Sequence, residues 1–291
     1  MSSGSDRIDV LSLPGLRHLG SFPAGEEPLT AVAFEDAGLL AVTCKAAAEV
    51  RLFELDGGAH VKTLPAEAGA SGTAAAMGRL FVANEFADSV TVFETKGWSA
   101  VGHIADLGGP CELAVTTDEQ WLLVANETSN SLAFHPLSAG GTAGKVEIDG
   151  GPVGIAVSPD CRLALVGSFL TPELTLVDVD RRAVVSRRRV GTSHIGVAFL
   201  ADGRRAVVTD VESDTLTVVD VPSLATVARI SVGAGPAKIV LLADSPLALV
   251  SCRTDYCVSL VDFSVLKEIR RQAVGVSPVG IATAVVGGTE P

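Results

Sequence analysis

A repeat of 42 residues runs through the chain and constrains its fold more than any other feature. Two independent series of residues keep this period and agree on one register. The first series is Pro110, Pro152, His194, Pro236 and Pro278, and the second is Glu54, Glu94, Pro136, Asp178, Asp220 and Asp262. Working backwards gives Ala68 and, after a two-residue deletion, Pro28. A fixed period of this length is typical of proteins that stack one supersecondary unit on copies of itself.

Each unit is predicted to form four short β-strands. In the unit that begins at Pro152, four runs rich in Val, Ile, Leu and Thr cover residues 153–157, 163–166, 174–177 and 183–186. A Ser-Pro-Asp turn separates the first two runs, and no apolar stripe has the period of a helix. A four-stranded antiparallel meander cannot bury both of its faces alone, so neighbouring units must stack. Radial stacking gives a β-propeller.

The repeat count predicts a closed ring. Units begin near residues 28, 68, 110, 152, 194, 236 and 278, and seven units of 42 would need 294 residues against the 291 present. Residues 278–291 and 1–27 together make the seventh unit. We therefore expect a single domain over 1–291, an all-β, seven-bladed β-propeller of four-stranded antiparallel blades closed by N- and C-terminal strands that share one blade. An open solenoid of seven meanders is the alternative.

The composite blade has a predicted gap. Val279 to Val286 is expected to supply its innermost strand, while 8–11 and 18–22 are expected to be its two outer strands. The second strand of this blade falls at the chain break, and the sequence leaves open whether it exists.

Charge and composition exclude several classes of function. A net charge of −12 disfavours binding to a phosphate backbone, so no nucleic-acid partner is expected. No apolar run reaches the roughly 18 residues of a membrane span, and no secretory leader is recognisable, so a cytoplasmic monomer without a membrane partner is expected. The five cysteines contain no C-x-x-C pair, which favours reduced thiols over a zinc site.

Several segments carry a recognisable repeat signature. Leu-Val-Ala-Asn at 123–126, a similar run at 80–84 and Val-Val-Asp at 218–220 recur in register, and the segment 151–160 fits the start of the same repeat. The chain resembles the YVTN-type β-propeller repeat family over essentially its whole length. That resemblance implies the fold and leaves function open, because similar propellers include surface proteins, binding scaffolds, lactonases and streptogramin-type lyases. The departures from the pattern are Cys44, Ser168, Asp210 and Cys252 in place of Asn, and His194 in place of Pro.

Charged residues are predicted to gather at one mouth of the central channel, which we call the upper rim. It is formed where the first strand of each blade begins and the second strand ends. Acidic residues are expected from blades two and three, and basic residues from blades six and one, an arrangement that would orient a small polar molecule in the channel. The predicted ligand-binding residues are Asn84, Asn126, Glu112, Ser168, Lys238, Arg253 and Lys45. The alternative is that the charges are merely solvated and that the asparagines follow the repeat.

His194 is the candidate catalytic residue because it replaces the proline that opens a unit. Asp210 in the same blade is expected to lie beside it, and such a pair can act as a general acid or base near neutral pH. Glu127 or Glu85, across the channel, would be the second acid/base group. The alternative is a histidine bonded to the backbone. No metal or cofactor is predicted, although Glu85, Glu112 and Glu127 offer oxygen ligands of the kind that Mg²⁺ or Ca²⁺ would take.

Two functions follow from these residues. The first is a cofactor-independent, non-redox enzyme that uses acid/base residues at the channel mouth on a small polar molecule, of the lyase, lactonase, cyclase or isomerase type. The alternative is a non-catalytic propeller scaffold that binds a protein partner or a small ligand.

Overall fold

The computed structural model describes residues 1–138 and 141–285, and these form an all-β propeller of antiparallel blades. Blade seven contains the first two strands, Arg7–Ser12 (β1) and Arg17–Pro23 (β2). The strands of blade one are Pro28–Phe34 (β3), Leu39–Cys44 (β4), Glu49–Glu54 (β5) and His60–Pro65 (β6). Those of blade two are Ala70–Ala76 (β7), Arg79–Asn84 (β8), Ser89–Glu94 (β9) and Ser99–Ile104 (β10). Those of blade three are Pro110–Val115 (β11), Trp121–Asn126 (β12), Ser131–Pro136 (β13) and Gly144–Glu147 (β14).

The second half of the ring repeats this plan. Blade four contains Pro152–Val157 (β15), Leu163–Ser168 (β16), Glu173–Asp178 (β17) and Ala183–Arg189 (β18). Blade five contains Val197–Phe199 (β19), Arg205–Asp210 (β20), Thr215–Asp220 (β21) and Thr226–Ser231 (β22). Blade six contains Pro236–Leu241 (β23), Leu247–Cys252 (β24), Cys257–Asp262 (β25) and Lys267–Ala273 (β26). Short 3-10 turns cover Ser3–Ser5, Glu35–Ala37 and Glu85–Ala87, and no helix among the described residues is long and apolar enough to cross a membrane.

Blades one to six are each a meander whose strands pair in chain order. The apolar faces of these sheets pack between neighbouring blades, because each blade has two faces to bury. In the described residues the buried apolar side chains fall into seven clusters, one between each pair of adjacent blades around the ring. Blade seven packs on both sides, with Ile8 against Val42 and Phe53 of blade one, and Leu16 against Leu249 of blade six. The predicted closed propeller is therefore confirmed.

The register of blade two differs from the repeat count. Its inner strand begins at Ala70, which pairs with Asn84, whereas the count placed the start of this unit at Ala68. Ala70 lies 42 residues after Pro28, so the two-residue deletion falls in the hairpin between β7 and β8 and not before the blade. Alanine runs carry no proline marker, so the sequence could not place the deletion.

The structure confirms part of the arrangement that the sequence predicts for blade seven. The two outer strands form as β1 and β2. The predicted inner strand from Val279 onwards runs alongside the ring but forms no regular strand between Val279 and Val285, and Val286 lies outside the described residues. Among the described residues, Met1 and Ser2 are the ones that pair with this segment where the second strand lies in other blades, so it is not held by a full ladder of hydrogen bonds.

Candidate functional site at the channel mouth

The upper rim is assembled by strand pairing. In blades one to four and in blade six, the first residue of the inner strand pairs with the last residue of the second strand, as in Pro28 with Cys44, Pro110 with Asn126 and Pro236 with Cys252. This pairing is the register that the 42-residue repeat predicts. Because of this pairing, the residues that follow these positions in each blade lie at the same mouth of the channel, where they face each other.

One ion pair spans the channel. The ammonium group of Lys238, in blade six, contacts the carboxylate of Glu112, in blade three. The side chains are 18% and 17% exposed, so the pair is largely removed from solvent. It lines a cavity of about 170 Å³ whose walls also include Thr30, Thr73 and Gly196 from the inner strands. Blades three and six lie on opposite sides of a seven-membered ring, so the two charges bridge its centre.

A second ion pair lies on the same rim, between blades one and two. The Lys45 ammonium lies 2.8 Å from a carboxylate oxygen of Glu85, and both side chains are about four-fifths buried. The same ammonium group lies 4.8 Å from the ring centre of Phe86, which is exposed on this face. Cation–π attraction therefore helps to hold the lysine in place.

Glu127 is a third carboxylate on the upper rim, and it belongs to neither of these two ion pairs. Partial burial, and then repulsion by Glu85, raise its pKa above the usual value of glutamate, while Lys45 acts in the opposite direction. Within the described ranges it forms no ion pair. The rim therefore has three carboxylates and two ammonium groups, with one carboxylate unpaired.

Three predicted ligand-binding residues are buried inside the blades. The Asn84 amide donates to the hydroxyls of Ser89 and Thr91, at 3.0 and 2.9 Å. The Asn126 amide donates to Ser131, and the Ser168 hydroxyl donates to the Asp149 carbonyl. At 0–1% exposure, Asn84, Asn126 and Ser168 cannot touch a molecule in the channel. The hydrogen bonds of these three side chains are made within their own part of the protein, which agrees with the alternative that the asparagines follow the repeat. Arg253 is exposed beside the rim and has no ion-pair partner in the described part of the chain.

The predicted pair between His194 and Asp210 does not form. His194 is fully buried, with Nε2 2.5 Å from the Val190 carbonyl and Nδ1 unpartnered among the described residues. The Asp210 carboxylate accepts instead from the backbone N–H and hydroxyl of Thr192, at 3.1 and 2.5 Å. The physical reason is that the inner strand of blade five starts only at Val197, so His194 lies in the preceding loop and turns inward. Burial lowers the pKa of His194 and keeps its ring neutral.

Sequence reasoning missed a set of hydroxyl groups that join the blades. Thr43, Thr209 and Ser251 occupy the fifth position of the second strand, and each donates to a carbonyl in the innermost segment of the next blade. The acceptors are Ser71 at 2.8 Å, Ala237 at 3.1 Å and Val279 at 2.6 Å. The signal available was a hydroxyl residue just before the strand end in blades one, five and six. No group of three or more His, Cys, Asp or Glu side chains in the described ranges is arranged to hold a metal ion.

The comparisons with known proteins agree on the fold. No family model and no curated protein matches the chain. Among solved structures it is similar to the hydrazine synthase of Kuenenia stuttgartiensis, with a TM-score of 0.77 and 14% identity over 87% of this chain and 88% of that one. It is also similar to a functionally unknown protein from Desulfotomaculum acetoxidans, with a TM-score of 0.83 and 13% identity over 97% and 96% of the two chains. The chain is a β-propeller.

A third similar structure is the dihydro-heme d1 dehydrogenase NirN in complex with DHE. The TM-score is 0.73 and the identity 17%, and the match covers 96% of this propeller and 63% of the NirN chain. These neighbours include enzymes and a protein of unknown function. At such low identity they show a common fold and assign no activity. They support a β-propeller without singling out the YVTN-type repeat.

Proposed function

We propose that this propeller binds a small molecule that carries both an ammonium group and a carboxylate, at the upper rim of its channel. The observation that supports this most is the Lys238–Glu112 pair, which presents opposite charges from opposite blades within one small cavity. A zwitterion would exchange partners with this pair, placing its carboxylate on Lys238 and its ammonium group on Glu112. Paired charges that are largely shielded from water interact more strongly than exposed ones.

The size and charge of the site limit the kinds of ligand that it can bind. The cavity of about 170 Å³ is smaller than the roughly 300–1,000 Å³ typical of pockets for drug-sized ligands. Beside Glu85 and Lys45, the unpaired carboxylate of Glu127 leaves a local surplus of negative charge on that side of the rim, which favours a ligand with at least one cationic group. A compact amino acid or a related zwitterion fits both requirements, and a nucleotide fits neither.

Binding without catalysis is favoured by the position of His194. A general acid or base must reach the proton that it transfers, and the His194 ring is enclosed by protein. A second candidate is the acid/base enzyme expected from the sequence, with Glu127 in the place of His194. The specific observation for it is the raised pKa of Glu127, a perturbation that is common among proton-transfer groups.

Calorimetric titration with a panel of amino acids and betaines tests the proposal. We expect one class of zwitterion to bind and Lys238→Met to weaken it by roughly 10- to 100-fold, the loss expected for a hydrogen bond to a charged group. Lys267→Met, on the exposed outer strand of the same blade, is the matched control and should bind as the wild type does. Failure of the whole panel to bind, or equal affinity of Lys238→Met and wild type, would contradict the proposal.

The same mixtures distinguish the two candidates. Mass spectrometry after incubation should recover the bound compound unchanged if the protein is a binding module. Consumption of the compound by the wild type and not by Glu127→Gln would support the acid/base enzyme instead. Glu147→Gln, on the outer strand of blade three, controls for the loss of one carboxylate.

A further inference from the structure

Two cysteines face each other inside blade six. Cys252 ends β24 and Cys257 begins β25, and the two residues pair directly across the ladder. Directly paired residues project their side chains from the same face of a sheet, so both thiols lie on one side of the blade. Both are free thiols, and they are buried at 0% and 3% exposure. The ligand proposed for the channel does not use them.

The repeat shows that side chains at these two positions contact each other. In blade two the same positions hold Asn84 and Ser89, whose side chains form a hydrogen bond of 3.0 Å. In blade six the Cys257 thiol donates to the sulfur of Cys252, which also lies 3.4 Å from Oγ of Ser259. Two sulfur atoms therefore replace a pair of polar groups that bond to each other elsewhere in the ring.

A glycine packs directly over both sulfur atoms. A Cβ on Gly233 would lie 2.7 Å from the sulfur of Cys257 and 2.9 Å from that of Cys252. Because one point lies this close to both sulfur atoms, the two thiols lie side by side beneath the backbone of this residue. Gly233 belongs to the segment that connects blades five and six, and its N–H donates to the Ser259 hydroxyl. A side chain at this position would displace the sulfur atoms.

The backbone spacing suits a disulfide between the two strands. Residues paired across an antiparallel ladder have Cα atoms about 4.5 or 5.5 Å apart, and a disulfide requires roughly 4.4–6.8 Å. We propose that Cys252 and Cys257 form a modification site for hydrogen peroxide, which oxidises them to a disulfide within blade six. The proposal concerns the interior of one blade and is independent of the ligand proposed for the channel.

The pair lies where the sheet opens most easily. It is the last pair of its ladder, directly below the turn of residues 253–256, and all four residues of that turn are exposed. The ends of ladders next to exposed turns open at a lower free energy than the middle of a sheet does. Local opening of this turn would admit a molecule as small as peroxide.

The two thiols differ in acidity, and this difference sets their order of reaction. The hydrogen bond from Cys257 lowers the pKa of the Cys252 thiol, burial opposes this, and the contact with Ser259 lowers it further. The same hydrogen bond, together with burial, raises the pKa of Cys257. Since the thiolate is the nucleophilic form of cysteine, Cys252 reacts with peroxide and Cys257 then resolves the product.

Two steps complete the oxidation. The Cys252 thiolate attacks one oxygen of hydrogen peroxide, the O–O bond breaks, and the departing hydroxide takes up the proton that Cys252 has lost and becomes water. The product is a sulfenic acid. The Cys257 sulfur attacks the sulfenic sulfur, an S–S bond forms as the S–O bond breaks, and the second water leaves with the Cys257 proton. Two thiols are oxidised, and one peroxide is reduced to two waters.

Cys44 is a matched reference at the same position of the repeat. It ends β4, is fully buried, and pairs with Glu49 where Cys252 pairs with a second cysteine. Burial raises the pKa of the Cys44 thiol to about 11. Cys44 therefore shares the depth of Cys252 and lacks both its acidity and its resolving partner.

Mass spectrometry of the reduced protein after peroxide treatment tests the proposal. Trypsin cleaves after Arg253, between the two cysteines, so the disulfide joins two peptides that separate again with dithiothreitol. We expect these linked peptides, and we expect Cys252 to be oxidised roughly tenfold faster than Cys44. With a pKa of about 11 against one below 9.0, Cys44 has roughly 100-fold less thiolate, and the lower nucleophilicity of the more acidic thiol offsets part of that difference.

Two variants separate the steps. Cys257→Ser should stop the reaction at the sulfenic acid of Cys252, which dimedone traps, whereas Cys44→Ser should form the disulfide at the rate of the wild type. Oxidation of Cys44 and Cys252 at equal rates would overturn the proposal. So would the absence of linked peptides after peroxide treatment, or linked peptides that appear only when the protein is unfolded in urea.

Discussion

The enclosed ring of His194 makes stability depend on pH. Burial lowers its pKa, so the folded state keeps the ring neutral while the unfolded state takes up a proton near the ordinary histidine value of about 6.5. Stability is therefore present above that value and falls as the pH drops below it. Half-buried His135, whose pKa is also lowered by desolvation, acts in the same direction.

We expect His194→Gln to reduce the difference between melting temperatures measured at pH 7.5 and 5.5. The variant itself is expected to be less stable at the higher pH, because it disturbs the contact with the Val190 carbonyl. Thermal melts of both proteins across this range check the prediction. Parallel pH profiles for wild type and variant would contradict it.

Glu127 should make ligand affinity depend on pH. Its raised pKa means that the carboxylate begins to take up a proton at a higher pH than an ordinary glutamate. An ammonium-bearing ligand at the rim is therefore expected to bind more weakly as the pH falls through this range. Titrations at several pH values should show the decline for the wild type and a flatter profile for Glu127→Gln.

The contacts of individual side chains were the least predictable feature of this protein from its sequence. The repeat register brought Glu112, Lys238, Lys45 and Glu85 to one rim, because strand pairing alone fixes their positions. It could not show that these charges pair with each other, since that depends on side-chain reach across the ring. Nor could it show that His194 turns inward, because this follows from the late start of one strand.

At the level of strands and blades, hydroxyl groups of blades one, five and six each donate a hydrogen bond to the next blade. The Thr209 hydroxyl, fully buried in β20, accepts from the Gly196 N–H at 2.8 Å and donates to the Ala237 carbonyl at 3.1 Å. On the neighbouring strand β21, Thr217 is equally buried, and its hydroxyl has no partner among the described residues. The two threonines therefore form a matched pair that differs in hydrogen bonding.

Replacement of each threonine by valine should have opposite effects. Thr209→Val is expected to cost about 1–3 kcal/mol, because it leaves a buried N–H and a carbonyl without their partner. Thr217→Val removes an unpartnered hydroxyl at nearly constant shape and should be neutral or stabilising. Urea unfolding of the two variants measures the difference. Equal losses would show that the contact between blades does not carry the effect.

Strand order and pairing were predictable because each unit repeats the same alternation of apolar runs and turns. The predicted and observed strands differ most in blades two and seven. In blade two, alanines replace the proline that opens other units, so the sequence placed its start two residues too early. In blade seven, the segment after Val279 has the composition of an inner strand, but in the described part of the chain no second strand pairs with it along its length.

The whole ring depends on how closely consecutive inner strands approach each other. At four places a Cβ on a glycine in the innermost segment of one blade would overlap a backbone carbonyl in the innermost segment of the next blade. These are Gly72 against Cys111, Gly154 against Ile195, Gly196 against Ala237 and Gly280 against Leu29. Backbone atoms cannot rotate aside as a side chain does, so the blades on either side would have to move apart.

Gly280→Ala should consequently open the ring where it is held by its own termini. The segment around Gly280 is joined to the amino terminus by the bond from the Met1 amino group, by Val279 N–H to the Met1 carbonyl, and by Ser3 N–H to the Ser277 carbonyl. Within the described ranges blade seven is a two-stranded sheet, which reinforces these contacts less than a four-stranded one, so displacement by the new methyl group should release them. We expect a loss of about 1–3 kcal/mol in the free energy of unfolding, typical of overpacking, and faster amide hydrogen exchange over residues 2–8.

Gly196→Ala carries the same overlap inside a complete blade and should lower the melting temperature without faster exchange at the amino terminus. Gly20→Ala, where a Cβ meets nothing within 4 Å, is the control and should change neither measurement. Unchanged exchange at the amino terminus of Gly280→Ala would contradict closure of the ring by its termini.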